Sequence, residues 1–490
     1  MVPPPDNVAD LVARVEQLSH AATHDDLTDL PTRSFTLQCL QTMLTSAAST
    51  REHIAVMFVD LDHFKLVNDT FGHHAGDELL QQFALRLRDS TRLGDLIGRF
   101  GGDEFVIACR QHEPSTATRV AARVLASMER PFTVAGRPVT ASVSVGLAVS
   151  TPGDHDAERV LQAADIALFE AKRLGRGRCE VFSEDLRRRM VDRVELEVEL
   201  RDALVRDELR LHYQPQVDLF DGSVVGVEAL VRWQHPVRGL VPPLEFVPVA
   251  EESGVIGALG EWVLREACRQ MAEWRDRGTW APPVVTVNVS PLQLDAHLVD
   301  VTRDALDQYA LAPRAVCVEL TESAFMRDGA SLAVLDELRA LGCYVGIDDF
   351  GTGYSSLARL RDLPAEVLKI DRSFVAGLGG DPNDSAIVAS IMGMALTMGL
   401  HVIAEGVEAP CQADALVRLG CRFAQGYLFS RPVPPAEIEA LGARRLWRPT
   451  ARAAAATAGP VVEAARSRRG HRRFIHEFLD QIGVPMEPQP

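Results

Sequence analysis

Glu228, Asn288, Glu319, Asp348, Asp349, Lys369, Glu405 and Gln425 share one property: each stands at or next to the C-terminal end of a strand-like apolar run. Four or five acids brought together on one face repel one another unless something cancels their charge, and hard divalent cations with oxygen ligands do that. The pattern predicts a Mg2+ or Mn2+ site. Ligands this numerous suit two metals, which polarise a phosphate and ionise a water, so phosphodiester hydrolysis is the expected chemistry. Lys369 then has three open roles: orienting the water, deprotonating it, or stabilising developing phosphate charge. Any single strand-end acid more often caps a helix or pairs with a lysine. The recurrence at strand after strand argues for a site.

A second constellation lies upstream. Arg99-Phe100-Gly101-Gly102-Asp103-Glu104-Phe105 sets two glycines between apolar strand residues, a hairpin signal whose bare backbone lets a ligand approach. Asp60 ends the apolar run 54–59. If those strands are neighbours, Asp60 and Asp103 form a carboxylate pair suited to Mg2+ on a nucleoside triphosphate, with Lys65, Lys172 and Arg176 neutralising phosphates. Alone, the Gly-Gly-Asp-Glu segment reads as an ordinary turn and Asp60 to Asp62 as a solvated loop.

The elements that must hold these groups divide the chain. Residues 1–22 read as a short helix with Val8, Leu11, Val12, Val15 and Leu18 at helical spacing. From 23 to 182 strand-like runs alternate with helical patterns, a mixed α/β domain. Residues 183–208 read as a charged linker helix. From 209 to 440 eight strand-like runs begin near 209, 223, 284, 315, 344, 366, 401 and 421, with helix-length spacers, which predicts a (β/α)8 TIM-like barrel. Residues 441–490 read as an Arg-rich tail ending in a short amphipathic helix.

Composition narrows the function classes. The 490 residues carry 51 Lys plus Arg against 68 Asp plus Glu, a net charge of −17, which argues against a binder of nucleic-acid polymers. The eight cysteines form no Cys-x-x-Cys pair and sit mostly in apolar runs, as reduced cytosolic thiols do. The N-terminus lacks the basic start and apolar block of a signal peptide, so a cytoplasmic protein is expected. The bland reading of the tail is a solvated extension; membrane contact through its arginines is the alternative.

The motifs, in order, resemble two known families. Glu228-Ala229-Leu230-Val231-Arg232-Trp233, Asn288-Val289-Ser290, Glu319-Leu320-Thr321-Glu322, Asp348-Asp349-Phe350-Gly351, Lys369-Ile370-Asp371, Glu405-Gly406-Val407-Glu408 and Gln425-Gly426-Tyr427 resemble the EAL family of cyclic-di-GMP phosphodiesterases. The segments at 24–33, 60–69, 72–77, 99–105 and 171–176 resemble the GGDEF family of diguanylate cyclases.

The EAL resemblance implies hydrolysis of cyclic di-GMP to linear pGpG. Glu228, Asn288, Glu319 and Asp348 would bind metal, and Asp349 would bridge to or bind a second metal. Lys369 and Glu405 complete the catalytic set, Gln214, Arg232 and Gln425 would contact the dinucleotide, and Glu322 would anchor the loop 350–356.

The GGDEF resemblance implies a cyclase-like palm fold that condenses two GTP into cyclic di-GMP. Asp60, Asp103 and the Leu61 carbonyl would bind metal, Asp103 would assist deprotonation of the ribose hydroxyl, and Glu104 belongs to the same signature. Asn68 and Asp77 would read guanine, while Lys65, Lys172 and Arg176 would hold phosphates. Arg92 and Asp95 match the family's RxxD product-inhibition site. Asp29, Thr32, Phe169 and Gly177 depart from the usual Gly, Asn, Tyr and Asn, and none is an implied metal or phosphate contact. The expected protein is therefore a homodimeric, bifunctional enzyme with Mg2+ or Mn2+ in both domains. The alternatives are a phosphodiesterase regulated by a GTP-binding GGDEF domain, or a catalytically silent cyclic-di-GMP receptor.

Overall fold

The computed structural model describes residues 14, 18–50, 52–111, 116–151, 156–322, 325, 329–351 and 364–450. Most of the expected N-terminal helix, the loop from 352 onward and the tail beyond 450 lie outside them. The chain divides into two compact units, residues 1–194 and 195–490. One helix, Glu184–Ala203, crosses the division.

The first unit is built on β1 (His53–Leu61), β2 (Leu96–Gly101), β3 (Glu104–Gln111), β6 (Val143–Val149) and β7 (Cys179–Val181). They form one sheet in the order β2-β3-β1-β6-β7, and β4 (Phe132–Val134) pairs with β5 (Arg137–Val139) in a separate hairpin. β1 is antiparallel to both β3 and β6 and is buried along almost its whole length. Its sequence is apolar at nearly every position because both sheet faces are covered. Ala55, Met57, Val59 and Leu61 pack on one side with residues of the helices His73–Ser90 and Ala117–Ser127. Ile54, Val56 and Phe58 pack on the other with Arg33–Thr50 and Ala157–Arg173. This is the period of two expected of a strand. The helix Ala157–Arg173 starts at Asp156, whose side chain accepts from the Glu158 and Arg159 amides, and it lies very close to the sheet. A Cβ on Gly146 would fall 2.0 Å from the Ala164 carbonyl oxygen, so only glycine permits the approach that brings Lys172 over the sheet.

The second unit is an eight-stranded barrel. Around it run β9 (Val224–His235), β11 (Val285–Asn288), β12 (Val316–Thr321), β13 (Tyr344–Phe350), β14 (Val367–Ile370), β15 (His401–Ala404), β16 (Phe423–Gln425) and β8 (Leu209–Asp218). β8 closes the ring on β9, and β10 (Gly239–Val241) extends β9 on the outside. The strands from β9 to β16 are parallel to their neighbours. β8 is antiparallel to both β9 and β16, a departure from the all-parallel pattern that the strand count predicts. Its cause is local: β8 turns into β9 through the five residues 219–223, with the Gly222 amide donating to the Asp218 carbonyl, and that is too short for a helical crossover. Several barrel helices open with proline at the first turn, at Pro243, Pro382, Pro410 and Pro435, where the missing amide costs nothing. Among the described residues no helix is long and apolar enough to cross a membrane.

Candidate active sites

Parallel strands present successive residues in register, and here the register places chemistry side by side. Asn288 of β11 lies opposite Glu319 of β12, and Lys369 of β14 opposite Ile403, two residues before Glu405. Glu228 sits in the middle of β9 rather than at its end, because that strand continues past the barrel to His235. Asp348 and Asp349 are consecutive, so a regular strand would turn them to opposite faces. A bulge in β13 between Ile347 and Phe350 prevents this: Asp349 adopts the left-handed φ of 52° and the two carboxylates stay together.

The cluster is organised by one buried ammonium. Lys369 is 0% exposed, and its Nζ lies 3.2 Å from Glu228 Oε2, 2.8 Å from Glu319 Oε2, 3.3 Å from Asp348 Oδ1 and 2.5 Å from Glu405 Oε1. Burial alone would drive Lys369 toward neutrality, but the surrounding carboxylates outweigh it and hold the lysine well above its usual value. One ammonium among four carboxylates leaves a large excess of negative charge. Burial, reinforced by Asp348 and Glu228, pushes Glu319 well up, and burial takes Glu405 to about 8. Asp349 rises to about 6, through burial and the neighbouring Asp348. Glu228 goes the other way. Its burial is offset by Lys369 and by hydrogen bonds from Gln425 Nε2 at 2.6 Å and Asn288 Nδ2 at 2.5 Å.

These residues fit divalent cations. Glu228, Glu319 and Asp348 present oxygens within 4.8 Å of one another, and so do Asp348, Asp349 and Glu405. Asp348 belongs to both triads. Glu319 Oε1 is buried without a hydrogen-bond partner, a cost that a cation would remove.

The turn in the first unit is built differently. Asp60, the last residue of β1 but one, lies directly opposite Glu104, and the Leu61 amide donates to the Asp103 carbonyl at 3.3 Å. The expected strand adjacency is present. Gly101 and Gly102, at φ 149° and 50°, make the turn itself. Asp60 is buried, and its Oδ2 pairs with Lys172 Nζ at 2.7 Å. Burial raises Asp60 to about 6 against the pull of Lys172, with Asp103 and Glu104 adding to the rise. Asp103 and Glu104 are half-buried, while Lys65, Asp77 and Arg176 are exposed. The Asn68 carboxamide lies against Gly76, beside Asp77.

Residues 22–178 match the family model for the diguanylate cyclase GGDEF domain, and residues 197–432 match that for the EAL domain. An uncharacterized protein of Mycobacterium tuberculosis is 42% identical over 439 residues, which are 89% of this chain and 70% of that protein. The chain belongs to the tandem GGDEF–EAL family. The bifunctional diguanylate cyclase/cyclic di-GMP phosphodiesterase MucR of Pseudomonas aeruginosa is 44% identical over 425 residues, 86% of this chain; the match spans 62% of MucR. Among solved structures the EAL enzyme Bd1971, in a cAMP-bound form, aligns with a TM-score of 0.50 at 32% identity, over 63% of this chain and 84% of that one.

The remaining expected residues fall as follows. In the EAL unit Gln214 Oε1 accepts from Gln425 Nε2 at 2.9 Å, and its own Nε2 donates to the Ser430 carbonyl at 3.0 Å. Arg232 is half-buried and donates to the Val231 carbonyl, so its link to the cluster is not direct. Glu322 Oε2 accepts from the Gly351 amide at 2.8 Å, at the start of the loop whose later residues lie outside the described ones. In the GGDEF unit Arg92 is exposed, and Asp95 Oδ2 accepts from its backbone amide at 2.8 Å; the two form a turn.

Two features of the GGDEF unit escape sequence reasoning. Arg99 donates from Nε and Nη2 to the Gly102 carbonyl and from Nη1 to Asp25 Oδ1 at 2.8 Å, tying the turn to a residue 74 positions upstream. Asp62, expected in a solvated loop, is only 5% exposed and fully engaged, as described below. No sequence signal separates it from Asp60, since the two acids flank the last residue of the same strand.

Proposed function

We propose that the chain turns over cyclic di-GMP with two active sites, a phosphodiesterase in the barrel and a diguanylate cyclase at the Gly101–Glu104 turn. The observation that carries this reading is the ring of four carboxylates on Lys369, with two overlapping triads sharing Asp348. In the barrel Glu228, Asn288, Glu319, Asp348 and Asp349 hold Mg2+ or Mn2+. Bound there, the cations supply neutralisation of the scissile phosphate and acidify water. A water oxygen joins phosphorus, the bond from phosphorus to the ribose 3′ oxygen breaks, and linear pGpG leaves. Lys369 remains an ammonium in this setting, so it orients and stabilises negative charge rather than abstracting a proton. Glu405 completes the set, and Gln214, Arg232 and Gln425 bind the dinucleotide.

At the turn the 3′ hydroxyl of one GTP attacks the α-phosphate of the other and expels pyrophosphate, twice per cyclic product. Asp60, Asp103 and the Leu61 carbonyl hold the cation, and Asp103 eases removal of the hydroxyl proton. Glu104 supports the same turn, and Lys65, Lys172 and Arg176 hold phosphates. Asn68 and Asp77 accept from the guanine N1 and N2 donors that adenine lacks. Two loaded domains must face each other, so the working form is a homodimer. Arg92 and Asp95 bind product and inhibit. On this reading the GGDEF domain spans 23–182 and the EAL domain 209–440, and a protein that consumes GTP works in the cytoplasm.

One observation favours a second reading. Asp60 has Lys172 as a partner of its own, whereas four barrel carboxylates share the single Lys369, so a phosphodiesterase with a GTP-binding regulatory GGDEF domain fits as well. Purified protein incubated with Mg2+ and either GTP or cyclic di-GMP decides between them. The bifunctional reading expects product in both reactions, loss of hydrolysis alone in Glu228→Gln, and loss of GTP conversion alone in Asp103→Asn. Hydrolysis without GTP conversion supports the second reading; no product in either reaction overturns both.

A further inference from the structure

Asp62 lies two residues after Asp60 and is almost completely buried. Its Oδ1 accepts from Ser144 Oγ at 2.7 Å, and its Oδ2 from Ser142 Oγ at 2.7 Å and the Gly177 amide at 3.1 Å. The Asp62 amide donates in turn to the Ser142 carbonyl at 2.9 Å. A carboxylate with three donors around it is a fixed point, because moving any partner leaves a buried charge short of hydrogen bonds.

What it fixes is unusual backbone. Gly175, Arg176 and Gly177 carry φ of 112°, 61° and 60°, three successive positive values, and for Arg176 that conformation is costly. The Arg176 amide donates to the Ala171 carbonyl at 3.0 Å, which ties the segment to the helix carrying Lys172, and Asp62 ties its other end through Gly177. Between those ties the Arg176 side chain is exposed and has no protein partner among the described residues. The strand that carries Asp60 and the loop that presents Arg176 are thus joined through one carboxylate.

We propose that Asp62 is a positioning residue that holds the Gly175–Gly177 loop so that Arg176 faces the terminal phosphates of a guanine nucleotide bound at Asp60. The proposal rests on the GTP-binding reading of this unit. It separates the two neighbouring acids by role: Asp60 contacts the nucleotide's cation, and Asp62 acts through Arg176. A merely structural Asp62 would affect every ligand alike. A positioning Asp62 affects only ligands that carry the outer phosphates.

The test uses the full chain with Mg2+. In Asp62→Asn the carboxamide nitrogen accepts no hydrogen bond, so the donors on one side of the carboxylate lose their acceptor. GTP affinity by calorimetry falls about tenfold, the scale of one charge-assisted contact, while GMP affinity stays within about twofold. Arg176→Ala gives the same selective loss, and the double variant loses no more than either single one. Retained GMP affinity, together with an unchanged unfolding transition of the first unit, serves as the control for an intact GGDEF unit. Equal losses for GTP and GMP, or additive losses in the double variant, overturn the proposal. Hydrogen exchange on the wild-type protein gives a check that needs no variant: the Gly177 amide is protected, and rapid exchange there overturns the anchor. A wild type that protects Gly177 yet binds no GTP refutes Asp62's nucleotide role through the reading beneath it and leaves the anchor itself standing.

Discussion

In the barrel, Glu228, Glu319, Asp348, Asp349 and Glu405 converge on a single buried lysine, with Glu228 and Glu319 buried beside it and Asp348, Asp349 and Glu405 partly open. At the GGDEF turn Asp60 is matched by Lys172, and Asp103 and Glu104 are half open to solvent. Under the proposed function, the difference bears on how each site would acquire a cation. The barrel holds more carboxylates than its one lysine can cancel, and on that reading it would take metal before substrate. The turn offers two carboxylates and a carbonyl, the sparse protein set typical of Mg2+ that arrives with phosphates.

The largest test of that contrast is to remove each lysine. Lys369→Met strips the barrel acids of their counter-ion, and with chelator present it costs about 3–5 kcal/mol of stability, the scale of breaking a buried ion pair. Thermal or urea unfolding reads the loss, and Mn2+ restores most of it. Lys172→Met removes a pair whose lysine is one-third exposed, at 33%, and costs under about 1 kcal/mol. Equal losses in the two variants would erase the distinction.

Metal affinity without nucleotide comes next. Titrating Mn2+ into the nucleotide-free chain detects the barrel site, and Glu319→Gln, which replaces the fully buried acid, weakens it about a hundredfold, at the upper end of effects on metal sites. Asp103→Asn leaves that titration unchanged. If Asp103→Asn weakened nucleotide-free binding as much, the turn would be a preformed site after all.

Acidity offers a smaller but more specific reading. Glu405 is held at about 8 when folded against 4.5 unperturbed, so the native state keeps a proton that the unfolded chain has released. That contribution is fully present below 4.5 and lost as pH rises through 8. In chelator the barrel's melting temperature therefore falls between pH 5 and about 8.5, and Glu405→Gln flattens the upper part of the fall. Asp60, at about 6, gives the GGDEF unit a fall of the same sign that ends earlier. With Mn2+ present the barrel trend reverses, because binding requires the deprotonated acids.

How much of this was legible in the sequence depends on whether a residue's role is local. The eight barrel strands were visible because each is an apolar run ended by a polar residue, and the acids were visible because a barrel gathers such ends. The antiparallel β8 was not, since direction depends on a five-residue turn that no periodicity reports. The bulge that keeps Asp348 and Asp349 together was hidden as well; alternation alone would separate them. At the turn, Asp103 announced itself beside two glycines. Asp25 gave no sign that it meets Arg99, because their contact is set by tertiary folding.

That clamp supplies the smallest expected effect and sharpens the comparison from the other side. The barrel cluster is held by strand register, whereas the GGDEF turn leans on a side chain: Arg99 grips the Gly102 carbonyl from two nitrogens at 3.1 and 2.8 Å while its third binds Asp25. Asp25 in turn accepts from the Thr28 amide and hydroxyl at 2.9 and 2.7 Å. A lysine keeps the charge but cannot reproduce a planar fork. Arg99→Lys therefore costs about 1–1.5 kcal/mol of the first unit's stability, the net worth of a lost hydrogen bond or two. It lowers GTP conversion through a displaced Asp103 and leaves cyclic di-GMP hydrolysis untouched. Unfolding curves with paired activity assays check both halves. Unchanged GTP conversion in this variant would mean that the β2–β3 hairpin fixes the turn by itself, and the two sites would then be equally rigid despite their different charge.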